Sequence, residues 1–172
     1  LPVVMLVVIC TAPGQTYGVS VFNPYLRQAL DLSSSQLSGA YMAGTLLAAL
    51  PLTWIGAMMD RYGARVVLVG VVLLFGLACI GMMQVRGMAT LFVAFFFLRL
   101  LGQGAMGMLA RNTLAMWFSR RLGVASGIAN FGAAAAVGGV PALHLWLIET
   151  QGWRWAYAFL GLGVWFLLLP LL

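Results

Sequence analysis

Gly56-Ala57-Met58-Met59-Asp60-Arg61-Tyr62-Gly63-Ala64-Arg65 is the stretch on which the reading of the fold turns. It holds three of the chain's twelve charged residues and separates two apolar runs. Each run is long enough to cross a bilayer, and a polar decapeptide between two such runs is a tight hairpin at a membrane surface. Gly56 lets two helix ends approach closely, and Gly63 can take the positive φ that a chain reversal needs. Asp60 is the unexpected residue. A carboxylate at the C-terminal end of a helix opposes that helix's dipole, so it needs another partner, either a nearby Arg or the N-terminus of a different helix.

Composition sets the class around this hairpin. Of 172 residues, 63% are hydrophobic and only 7% charged, and the mean hydropathy is +1.04; no water-soluble core hides that much apolar surface. The net charge of +6 does not point to nucleic acid, because most of the arginines flank apolar runs and form no patch or stripe. Every basic residue is Arg, which with the abundance of Ala, Gly, Leu and Val suggests a GC-rich bacterial genome. Cys10 and Cys79 fall inside apolar runs as small buried residues, not as a disulfide or metal pair. Neither a metal nor a cofactor is expected. Leu1 is not an initiator and the sequence stops inside an apolar run at Leu172, so a longer polypeptide is expected.

Six spans emerge, at about 1–23, 36–58, 66–84, 88–110, 122–148 and 153–172, each near the ~20 residues that cross the hydrocarbon. The first is interrupted by Pro13-Gly14, which predicts a kink lining a cavity. Ser33-Ser34-Ser35-Gln36 offers an S-x-x-Q capping box to start the second. Gly39, Ala40, Ala43, Gly44, Ala48 and Ala49 then predict a close-packing stripe on that span. The third is nearly featureless and is expected to face lipid or neighbours. The fifth is rich in small residues ahead of Pro141. Arg61, Arg65, Arg111, Arg120 and Arg121 on one side outnumber Arg27, Arg86 and Arg154 on the other, which puts the Asp60 end and the N-terminus in the cytoplasm.

One echo bears on architecture. Asp60-Arg61-Tyr62-Gly63-Ala64-Arg65 and Glu149-Thr150-Gln151-Gly152-Trp153-Arg154 share acid-x-x-Gly-x-Arg. Each occupies the second connection of a three-helix set, and the two fall on opposite membrane faces. An all-α bundle of two inverted three-helix repeats has this property.

Arg99 is the foremost candidate for function. It lies close to 20 Å from either end of its span at about 1.5 Å per residue, and insertion scales put the cost of such a charge at about 2.5 to 3.5 kcal/mol. Asp31, Asp60 and Glu149 all fall in loops. Its partner is therefore the backbone of a broken helix, an acid from elsewhere in the polypeptide, or an anionic substrate; a brace between the fourth and first spans is an equal reading. Gln15, Tyr17, Asn23, Gln103 and Asn130 are candidate cavity-lining groups, with interhelical hydrogen bonding as the alternative. Gly102-Gln103-Gly104-Ala105-Met106-Gly107 has the spacing G-x-G-x-x-G but follows no strand, so dinucleotide binding is rejected. His144 stands alone without H-E-x-x-H, and Gly123-Val124-Ala125-Ser126-Gly127 has the wrong spacing for an intramembrane protease. No enzyme is expected; His144 reads as a polar residue near the outer interface.

The spacing G-x-x-x-D-R-x-G-x-R between the second and third spans resembles the loop of the major facilitator superfamily of secondary transporters. That resemblance implies that these six helices are half of a twelve-helix fold, with a C-terminal bundle outside this chain. It implies that Asp60, Arg61 and Arg65, shaped by Gly56 and Gly63, form a conformational latch. Arg99-Leu100-Leu101-Gly102-Gln103-Gly104 is loosely similar to the family's fourth-helix pattern R-x-x-x-G-x-G, with the first Gly one residue early, and this implies coupling or anion binding by Arg99. Asn112 through Gly127, with Trp117-Phe118-Ser119-Arg120-Arg121, looks like the corresponding connection of monocarboxylate and oxalate/formate-type carriers, although Leu122 intervenes before Gly123. An early acid typical of many monocarboxylate carriers is replaced by Gln15-Thr16-Tyr17-Gly18. The implied function is movement of a small organic anion across a bacterial inner membrane by alternating access, with a coupled proton or counter-anion. Drug or metabolite efflux by the same fold, and a six-helix channel or scaffold, are the alternatives.

Overall fold

The structure, a computed structural model, describes residues 2–172, Ser119 by its backbone only; Leu1, where the first predicted span opens, lies outside them. Among the described residues six helices are long and apolar enough to cross a membrane: Pro2–Ser20, Ser34–Tyr62, Ala64–Gln84, Met88–Trp117, Leu122–Gln151 and Trp153–Leu171. A short helix, Asn23–Leu30, follows the first span. The molecule is all-α, as the composition predicts.

The start of the second span follows its sequence signal. Ser33 Oγ accepts from the Gln36 backbone N–H at 3.2 Å, and Gln36 Oε1 accepts from the Ser33 N–H at 2.9 Å. These reciprocal bonds satisfy two donors that a helix start leaves open. The same span is interrupted at residues 49–51 and resumes as Leu52–Tyr62. Pro51 lacks the N–H that an unbroken ladder requires. By contrast, the fifth span continues through Pro141.

Two spans break at membrane depth, and they break against each other. The first gives way to a single 3-10 turn at Ala12–Gly14, where Pro13 interrupts the ladder. The fourth widens into a π-helical stretch at Arg99–Met106. Gly14 and Gly102 meet at the crossing: a methyl group built on either would lie 3.0 Å from the other's Cα. Only two glycines permit this approach, so the early placement of Gly102 has a packing cause.

The inverted repeat is visible in the turns. Gly63 has φ 85, ψ 152 and Gly152 has φ 81, ψ 155. Each donates its N–H to the carbonyl four residues back, Met59 at 2.9 Å and Ile148 at 2.8 Å. The arginine two residues later then reaches the far end of the other repeat's last helix. Arg65 Nε donates to the Leu172 carbonyl, while Arg154 Nε donates to the Met83 carbonyl at 3.1 Å. One offset in numbering relates Asp60 to Glu149, Gly63 to Gly152, Arg65 to Arg154 and Met83 to Leu172.

Packing obeys the same two-fold relation. The third and sixth spans pack extensively against each other, and the pairing of the second with the fourth is mirrored by that of the fifth with the first. The third span, expected to face lipid or neighbours, has one face packed on its neighbours. Its face of Val67, Leu68, Val71, Val72, Phe75, Gly76 and Cys79 is buried. Gly76 leaves room for the Trp165 indole, whose Nε1 donates to the Val72 carbonyl at 3.1 Å. Runs of Leu and Val hide this role because helix partners in a membrane select for shape, not for polarity.

Candidate functional site

Arg99 opens the π-helical stretch and is only 6% exposed. Its Nη1 donates to the Gly14 carbonyl at 3.1 Å and to Thr16 Oγ1 at 3.4 Å, and its Nε donates to Thr45 Oγ1 at 3.0 Å. The guanidinium also lies 4.8 Å from the centre of the Tyr41 ring, a distance at which the face of the ring attracts a cation. Pro13 has left the first span without a continuous ladder just where Gly14 offers its carbonyl. Of the partners open to this buried charge, the backbone of a broken helix is the one present, helped by two hydroxyls. Arg99 thus ties the fourth span to the first and the second.

A polar cavity of about 370 Å³ lies on the other side of the crossing, between the first, fourth and fifth spans. Val4, Val8, Thr11 and Gln15 line it from the first, Gly107, Ala110, Arg111 and Leu114 from the fourth, and Ser126, Ala129, Asn130, Ala133 and Val137 from the fifth. Each set recurs at intervals of three and four, which is one face of a helix. Tyr17 joins them from beyond the break. Gln15 Nε2 donates to Thr11 Oγ1 at 3.1 Å, which fixes the amide at the cavity wall. A larger groove of about 810 Å³, between the second, third and fourth spans, is lined by no charged side chain. It suits acyl chains better than a polar solute.

Three of the five predicted cavity residues, Gln15, Tyr17 and Asn130, are therefore in the cavity wall. Asn23 is not; it begins the short helix after the first span, where its backbone turn leads the chain away. Gln103 is not either. Gly102 takes the buried side of the π-helical stretch against Gly14, and its neighbour Gln103 is turned outward and exposed. Arg99 does not line the cavity. Thr11, Ser126 and Arg111 do, and sequence reasoning missed them. Their signal was the three-and-four spacing with Gln15 and Asn130. Arg111 was hidden by a helix boundary drawn at Ala110, whereas the helix runs on to Trp117.

His144 is fully buried within the bundle. Its Nδ1 is 3.3 Å from the Gly18 carbonyl and its ring 5.5 Å from that of Phe22.

The Asp60 hairpin has the predicted reversal at Gly63 but not the predicted contacts. Among the described residues Asp60 forms no ion pair, and its side chain is exposed. Arg61 turns over the Tyr62 ring at 5.3 Å, and Arg65 is held by Leu172. Nothing approaches within 4 Å of a methyl group built on Gly56, so no helix end closes on it. Asp60 is open to its surroundings, and no basic side chain among the described residues pairs with it.

The model of the Major Facilitator Superfamily matches residues 4–172, and the chain belongs to that family. Among curated proteins it is similar to the "Probable sulfoacetate transporter SauU" of Cupriavidus necator, 28% identical over 146 residues, which is 83% of this chain and 33% of that protein. The chain thus spans about a third of the length of the curated relative it matches. Membership, with six helices long and apolar enough to cross a membrane, makes it part of an integral, multi-pass membrane protein.

Proposed function

We propose that this chain forms the N-terminal six-helix half of a secondary transporter that moves a small organic anion across the membrane by alternating access. The observation that carries the reading is the polar cavity between the first, fourth and fifth spans, set beside two helices that break against each other. Discontinuous helices at the midplane supply backbone groups to a transport path, and rocking one bundle against another exposes such a path to each side in turn. The cavity's charge favours an anion. Arg111 lines it, and Asp31, Asp60 and Glu149 do not.

The stretch Asn112 through Gly127 supports a reading nearest to carriers of monocarboxylates and of the oxalate/formate type, and similarity to a protein named for sulfoacetate transport fits a small acid. Asp60, Arg61 and Arg65, with Gly56 and Gly63, form the latch toward a C-terminal bundle in the same polypeptide. Arg99 couples the first, second and fourth spans mechanically, so that they move as one body. The Asp60 end and the N-terminus face the cytoplasm of a bacterial inner membrane. A proton or a counter-anion moves with the substrate.

The test is counterflow in proteoliposomes made with the full-length protein, comparing sulfoacetate, acetate, succinate and a cationic dye. Exchange of at least one acid and none of the dye is expected. Exchange of the dye alone would replace this reading with cation efflux, and no gradient-driven exchange of any solute would end the carrier reading.

A further inference from the structure

Arg111 is placed unlike a topological anchor. Its Cα lies six residues before the end of the fourth span at Trp117, about 9 Å along the axis at 1.5 Å per residue. An arginine at that depth ordinarily snorkels, extending its stem toward the nearer interface so that the charge reaches water and headgroups. Arg111 does the opposite. A methyl group built on Gly107 would stand 3.5 Å from its Nη1 and 3.9 Å from its Nη2, so the guanidinium lies back along the helix, one turn deeper into the membrane. Gly107 offers no side chain there, and the fork rests on bare helix surface.

Its surroundings supply no counter-charge. The cavity wall around it is Gln15 and Tyr17 from the first span and Ser126 and Asn130 from the fifth, all neutral. Among the described residues it forms no ion pair and takes part in no side-chain hydrogen bond, whereas Arg99, twelve positions earlier, is engaged by Gly14, Thr16 and Thr45. An inward-turned, uncompensated guanidinium facing hydroxyls and amides is a site for the head of an anion. Its planar fork matches the two oxygens of a carboxylate or a sulfonate.

We propose that Arg111, not Arg99, is the substrate-binding arginine of this half. It takes the carboxylate or sulfonate of a small acid, with Gly107 as the position that lets the guanidinium lie inward. Ser126 and Asn130 face it across the cavity and take the polar remainder of the ligand. The inference rests on the organic-anion reading above and narrows it to a residue.

The experiment uses the full-length protein in proteoliposomes with sulfoacetate, acetate and succinate as probes. Arg111→Gln, Arg111→Lys and Gly107→Leu are compared with Arg120→Gln, a loop charge outside the cavity. For whichever acid the native protein exchanges, Arg111→Gln is expected to raise KM by about tenfold or more, the loss of a charge-assisted hydrogen bond. Arg111→Lys should recover part of it, Gly107→Leu should raise KM with the charge intact, and Arg120→Gln should leave KM unchanged. Ligand-induced thermal stabilisation of each purified variant gives a second readout that does not depend on turnover. The proposal is overturned if Arg111→Gln keeps the native KM and the native ligand-induced stabilisation. It is also overturned if KM and stabilisation respond to Arg99→Lys but not to Arg111→Gln. A native protein that exchanges none of the acids but moves the cationic dye would overturn the organic-anion reading instead, leaving no KM to compare.

Discussion

Arg99 and Arg111 share one helix and have opposite surroundings. Burial with three protein acceptors makes Arg99 a fastener. Replacing it with Leu leaves the Gly14 carbonyl without its donor inside the bundle, and a buried acceptor left unpaired costs about 1 to 3 kcal/mol. Arg99→Leu is therefore expected to lower the apparent Tm of the purified protein in detergent by about 5 °C. Transport should fall with stability, and Arg99→Lys should recover only part of both because one ammonium cannot reproduce the fork. A fluorescence melt checks this; an Arg99→Leu protein as stable as the native one would remove the fastener role. A lone charge near the middle of an apolar run was readable from the sequence, since only its position along the run matters. Which groups would meet it was not, because Gly14, Thr16 and Thr45 come to it through tertiary packing. Arg111 reads as a loop residue in the sequence for a local reason. Arg111-Asn112 looks like the polar end of a span, but Asn112 Nδ2 reaches Met59 Sδ at 3.7 Å, and the helix continues past both residues to Trp117.

At the scale of elements, the contact that organises the bundle is the crossing of two broken helices at Gly14 and Gly102. With each glycine's missing Cβ directed at the other's Cα at 3.0 Å, a side chain at either position must push the spans apart or fail to fit. Overpacking of this kind costs roughly 1 to 3 kcal/mol, and here it would also pull the Gly14 carbonyl away from Arg99. Gly102→Val should reduce the yield of folded protein and the Tm more than Gly138→Val, because a methyl group at Gly138 meets nothing within 4 Å. Size-exclusion profiles and melts of the two variants make the comparison. Equal behaviour would mean that the crossing does not hold the bundle together. The same physics separates what was legible here from what was not. Pro13 announced the break in the first span, since proline removes a donor wherever it stands. The widening of the fourth span carried no such residue; it falls where Gly102 meets Gly14. The acid-x-x-Gly-x-Arg echo was readable as spacing, and its mirrored hydrogen bonds at Met83 and Leu172 appear only once the chain has folded back.

For the whole molecule, the unmatched groups define where motion is to be sought. Asp60 is exposed at a turn whose two arginines are engaged elsewhere, one over Tyr62 and one at Leu172. Gly56 stands over open space, and Met42, Leu46, Leu50 and Trp54 leave one long face of the second span uncovered. A carboxylate at the C-terminal end of its own helix is favoured only when a donor or a positive end arrives from outside. In the alternating-access reading that donor belongs to the rest of the polypeptide and is present in one state but not in the other. Removing the charge then shifts the balance between states without touching the cavity. Asp60→Asn in the full-length protein should slow exchange by about tenfold while changing KM little, a size typical of coupling between distant sites. It should also change the labelling rate of Ala133→Cys, a cavity position, by a membrane-impermeant thiol reagent. Within these residues Cys10 and Cys79 are both buried and add little background; the Asp60→Asn protein without the added cysteine is the control. Asp60→Glu, which keeps the charge on a longer stem, should lie between the two. If exchange and labelling are both unchanged in Asp60→Asn, the hairpin is an ordinary turn, and the element that sets the balance between states lies elsewhere.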